Sequence, residues 1–168
     1  MTPTTQQHQP RTGQKTMPIT VESVIEIPAD TRTVFAFLAN LENNPTWNWA
    51  VAETVSLDGA PRAGSRYLQT RSSPRKSKEM IKITSFDRGR LLEVTSQVEG
   101  TLVVYRYQLL EIPVVATRLL ASVELQPIRK VGRPDLFAER LASVLAVNLE
   151  HLRNAIVERQ ESTRSGAA

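Results

Sequence analysis

Two tryptophans and three tyrosines are the side chains here best suited to organise a small molecule. An aromatic ring brings apolar area, and in Tyr and Trp it also brings one hydrogen-bonding group. Tyr105 and Tyr107 alternate with Arg106 and so share one face of an extended strand, while Tyr67 opens another strand-like run. If the shared face is concave, two phenols enter a pocket as handles for a ligand carbonyl; otherwise they are cross-strand packing aromatics. Trp47 and Trp49 follow the helix-breaking Asn44-Pro45 in "ANLENNPTWNWAVAE", residues 39–53. Trp47 is suited to packing a helical corner, and Trp49, two residues on, points the same way if both are extended, toward a cavity mouth. Asn148 lies on the same helical face as Val144 and Leu145. Buried there, it needs a backbone group, a water or a ligand as partner.

Other chemistry is poorly served. His151 sits among Glu150 and Arg153 and is expected to face solvent, and His8 lies in a Thr/Gln/Pro-rich tail. Acid-base work would fall to Glu, Asp or Tyr. The chain holds no GxSxG elbow, no phosphate-cradling glycine loop and no HExxH. Cysteine is absent, which excludes disulfides, thiolate nucleophiles and Cys-based zinc sites; no cofactor or metal is expected. The net charge is +4, and Arg71, Arg75, Lys76, Lys78 and Lys82 cluster in "RSSPRKSKEMIK". Without interleaved aromatics this reads as a solvated hairpin, so no nucleic-acid partner is expected.

The elements that must position these residues are regular. "TVESVIEI" (20–27) alternates Val21, Ser23, Ile25 and Ile27 against Glu22, Val24 and Glu26, which predicts a half-buried strand. After Pro28, Asp30 or Thr31 caps a short amphipathic helix carrying Val34, Phe37, Leu38 and Leu41. Six strand-like runs follow, near 51–57, 65–72, 78–86, 90–98, 101–110 and 116–126, separated by short Gly-, Pro-, Asp- and Ser-bearing turns. Short connections dictate an antiparallel, curved sheet. From Pro134 a helix runs to about residue 160, with Phe137, Leu141, Val144, Leu145, Leu149, Leu152 and Ile156 on one face. It is expected to pack across the concave face and leave a pocket there. Leu141, Leu145 and Asn148 would then look into that pocket.

One domain is expected over 19–160, with disordered tails at 1–18 and 161–168. Translation could start at Met17. The segment "MTPTTQQHQPRTGQKTMP" lacks an apolar core and no run approaches a membrane span. A soluble, cytoplasmic protein is the expectation, with its oligomeric state open.

The succession of "IPADTRTVFAFLANLENNPTW", a six-stranded meander with "PRAGSRY" and "FDRGRLLE", "ATRLLASVEL" and a final "NLEHLRNAIVE" resembles the polyketide cyclase/dehydrase-type members of the START-like (SRPBCC) superfamily. The resemblance covers about residues 19–160. It implies an α+β helix-grip fold: about seven curved antiparallel strands around a long C-terminal helix, with two short helices after strand 1. It also implies a cavity for a hydrophobic, lipid- or polyketide-like molecule, used by a carrier or sensor. Alternatives are a cyclase, aromatase or dehydrase, for which Tyr105, Tyr107 and Arg118 would be the polar groups, and a protein-interaction module. Relatives often carry Gly-Thr-Arg where this chain has Ala116-Thr117-Arg118.

Overall fold

The computed structural model describes residues 17–98, 100–127 and 131–166. Most of the expected N-terminal tail therefore lies outside the described residues. Strand β1 (Ile19–Ile27) is followed by helix α1 (Thr31–Ala39), a 3-10 turn (Leu41–Asn43) and the short helix α2 (Asn44–Trp47). Asp30 caps α1 by accepting the Thr33 backbone N–H at 2.7 Å, and that bond is the main reason its carboxyl is held below the usual carboxylate range. Pro45 occupies the first turn of α2, where its missing N–H costs nothing.

The strands β2 (Val51–Ser56), β3 (Arg66–Arg71), β4 (Ser77–Asp87), β5 (Leu91–Val98), β6 (Thr101–Ile112) and β7 (Ala116–Gln126) complete one sheet. Its order is β1-β7-β6-β5-β4-β3-β2, with every neighbouring pair antiparallel. Register shifts between Val51 and Glu53 and between Ile83 and Ser85 add local twist. Gly89 closes the β4–β5 turn at φ 74°, a conformation that a side chain would strain. The inward face is built by period-two alternation, as in Leu92, Val94 and Ser96 of β5 and Leu119, Ala121 and Val123 of β7, all buried.

Helix α3 (Pro134–Ser165) packs against β1 and α2. Its buried residues are Leu145, Asn148, Leu149, Leu152 and Ile156. Phe137 is 41% exposed, and Leu141 and Val144 are only half-buried, so the expected stripe fails at its N-terminal end. Ala138, Leu141 and Ala142 still pack against the core as partly buried residues. The helix also runs beyond residue 160 into the stretch expected to be a tail. Ser162 and Thr163 turn their hydroxyls onto the carbonyls of Glu158 and Arg159, both at 2.9 Å, so these polar residues are accommodated in helix.

Candidate functional site

Beneath the helical corner lies a small cavity of about 30 Å³, lined by Leu38, Leu41, Asn44, Trp47, Asn48, Gln69, Ile81, Val94, Tyr105 and Tyr107. The helical corner contributes the first five, and strands β3 to β6 the rest. Such a volume holds about one water. Trp47 meets Tyr107 edge to face, with ring centroids 6.4 Å apart and planes at 83°, and its Nε1 is buried without a hydrogen-bond partner. Burial, chiefly, pushes the Tyr107 and Tyr105 phenols above their ordinary range; at Tyr105 the Arg71 guanidinium opposes the shift.

A buried polar relay adjoins the cavity. Asn44 Nδ2 donates to Gln69 Oε1 at 3.0 Å, and Thr54 Oγ1 donates to the same oxygen at 3.3 Å. Gln69 Nε2 donates to Glu79 Oε1 at 2.6 Å, as does Arg71 NH1 at 3.1 Å. The Glu79 side chain is 2% exposed and that of Arg71 21%. Burial works against the Arg71 charge, but the interactions with Tyr105 and Glu79 outweigh it and raise the guanidinium pKa. Among the described residues, Glu79 Oε2, Ser96 Oγ and Asn148 Oδ1 are also buried without a protein hydrogen-bond partner, and the Tyr67 hydroxyl has only a weak interaction with Ser56. A buried donor or acceptor that neither protein nor water satisfies costs about 1–3 kcal/mol.

Two open grooves flank α1. One, of about 780 Å³, runs between α1 and the β2–β3 and β4–β5 connections over Phe35, Phe86 and Tyr67. The other, of about 630 Å³, lies between α1 and the end of α3 and carries Phe37, Ile156, Arg32, Arg159 and Arg164. Tyr67 is 1% exposed, and burial first, then the Glu42 charge, raises its pKa. Its cross-strand partner Ile81 and its inward neighbour Gln69, about 7 Å along the strand, both line the cavity. Tyr67 thus stands between groove and cavity.

The expected site residues divide. Trp47, Tyr105 and Tyr107 converge on the cavity, and Tyr67 lines the larger groove. Trp49 is 50% exposed and lines none of these spaces. Trp47 ends a helix and is not extended, so the two-residue spacing does not align the indoles. Arg118 is on the convex face, where its guanidinium donates to Glu26 Oε1 at 2.7 and 3.2 Å. Its neighbours Thr117 and Leu119 face inward, so strand parity excludes it from the interior. Leu141, Leu145 and Asn148 line neither the cavity nor the grooves. Asn148 is buried, but its Oδ1 has no partner.

The sequence reading misses Gln69, Glu79 and Ser96, and it places Arg71 in a solvated hairpin. The signal is parity. Gln69 and Arg71 are in phase with Tyr67, and Glu79 with Ile81 and Ile83, which places polar groups in the buried register of their strands.

A seven-stranded antiparallel sheet gripping a long C-terminal helix, with short helices after the first strand, is the helix-grip fold of START-like proteins. The family model described as polyketide cyclase / dehydrase and lipid transport matches residues 18–157, and the chain belongs to that family. Among solved structures, Ara h 8.0201 is similar at a TM-score of 0.67 and 15% identity, covering 84% of this chain and 99% of that one. TTHA0849 from Thermus thermophilus is similar at a TM-score of 0.66 and 13% identity, covering 83% and 98%. No curated protein matches the chain. Among the described residues no cluster of three metal-ligating side chains occurs, and no described helix is long and apolar enough to cross a membrane.

Proposed function

We propose that the chain binds an apolar small molecule in its interior, as a carrier or sensor. The observation that supports this best is the cavity at Trp47, Tyr105 and Tyr107: aromatic walls, with buried polar atoms in and beside it that no protein group satisfies. Most buried polar atoms in native cores are paired, by protein groups or by ordered water, and an oxygen of a bound molecule can take that water's place. The cavity volume is far below the roughly 300 Å³ a small-molecule site needs, so binding enlarges it. The groove beside Tyr67 supplies a ligand-sized antechamber next to the cavity.

A second reading makes the same site a cyclase or dehydrase. It is favoured by the phenols of Tyr105 and Tyr107, which burial keeps neutral and able to donate to a ligand carbonyl. Arg118 has no part in it.

Native mass spectrometry of the purified protein tests the binding reading. The expected result is a non-covalent adduct of a small organic molecule that is lost on denaturation and competed off by added naphthalene. A protein that carries no adduct and takes up no naphthalene contradicts it. Conversion of a bound polyketide-like chain, abolished by Tyr105→Phe or Tyr107→Phe, would shift the reading to the enzyme.

A further inference from the structure

Glu79 is half satisfied. Its Oε1 receives both Gln69 Nε2 at 2.6 Å and Arg71 NH1 at 3.1 Å, whereas Oε2 is buried and receives nothing. Gln69 cannot be turned to serve it, because its own carbonyl is engaged by Asn44 and Thr54. On the next strand, Ser96 Oγ is also buried and unpartnered. Ser96 pairs with Ile81, so Glu79 sits on the adjacent diagonal of the same inward face, about 7 Å away between Cβ atoms. A single oxygen placed between them can donate to the carboxylate and accept from the serine.

We infer that this is an anchor for a hydroxyl group on the bound molecule, donated to Glu79 Oε2; the inference rests on the interior-binding reading above. The charge balance selects the class of ligand. Arg71 already neutralises Glu79, so a cationic guest would leave a net buried positive charge, which a low-dielectric interior penalises. An ether or ketone sets its oxygen against the carboxylate with no proton between them. A neutral alcohol or phenol on an apolar frame meets both constraints.

The test is calorimetric titration of the full chain with 1-naphthol, naphthalene and 1-methoxynaphthalene. The unsubstituted protein is expected to bind 1-naphthol at least about tenfold more tightly than either analogue, since sites built around a hydrogen bond reject ligands that cannot make it. In Glu79→Gln the side-chain carbonyl keeps its two donors and an NH2 replaces Oε2, so the preference should reverse toward 1-methoxynaphthalene. Equal affinities for 1-naphthol and 1-methoxynaphthalene in the unsubstituted protein overturn the anchor and leave the binding reading standing. Failure of all three to bind overturns both. A hydroxyl preference that persists in Glu79→Gln places the hydroxyl elsewhere and overturns the anchor. If Glu79→Gln does not fold, Ser96→Ala is the second variant: it should weaken 1-naphthol severalfold and spare naphthalene, and an unchanged ratio overturns the proposal.

Discussion

Trp47 and Tyr107 meet edge to face in the wall of the cavity, their ring centroids 6.4 Å apart. The contact ties the helical corner to the floor of the sheet, and it answers why Pro45 stands two residues before an indole. Proline opens the short helix that swings Trp47 inward. Trp47→Phe should therefore cost about 1–3 kcal/mol in denaturant unfolding. Trp49→Phe, at a half-exposed position, should stay within about 0.5 kcal/mol. Equal costs would place both indoles in the same environment and contradict the corner.

The long helix is unevenly loaded. Leu152 is 0% exposed while Phe137 is 41% exposed. Leu152→Ala should destabilise by about 2–5 kcal/mol, and Phe137→Ala by less than about 1 kcal/mol despite the larger side chain removed. A large loss at Phe137 would mean that the first turns of the helix are packed as tightly as its middle.

Much of this is legible in the chain, and the misses have physical causes. Seven strands follow from alternation and turn chemistry, because a sheet with one wet face writes its period into the sequence. Tyr105 and Tyr107 share an inward face for that reason. The same rule applied to Leu119, Ala121 and Val123 sends Arg118 outward. Trp49 is misplaced by the sequence reading because α2 spans only four residues, too few for a helical period to register. Gln69, Arg71 and Glu79 stay hidden because polar residues near a turn read as surface, and only their phase with Tyr67 and Ile81 reveals them as buried.

The Arg71–Glu79 pair should be strongly coupled. Arg71→Leu strands a carboxylate that is 2% exposed and should cost about 3–5 kcal/mol. Adding Glu79→Leu should restore a substantial part of that loss. A double-mutant cycle on unfolding free energies measures it, and simple additivity would show the two side chains to be independent.

All three tyrosines are held neutral chiefly by burial, with pKa values above the ordinary 10.0. For a group whose folded pKa is raised, the stabilisation is complete below the unfolded value and is lost as pH rises through the folded one. Alkaline absorbance titration should show each tyrosine less than half ionised at pH 10.0 while the protein is folded, and a steeper rise at higher pH coincident with unfolding. A phenol titrating with its midpoint at the ordinary 10.0 in folded protein would show that one ring is solvated.

The central claim is that the interior beside Trp47 takes up an apolar molecule, and the two indole N–H resonances report on it directly. In a 15N-edited NMR titration of the full chain with 1-naphthol, with Trp49→Phe assigning the peaks, the unpartnered Trp47 Nε1–H should shift saturably. The Trp49 resonance should stay in place. If calorimetry shows 1-naphthol bound while Trp47 is silent, or while only Trp49 moves, the molecule is not in this cavity and the account of the site is wrong.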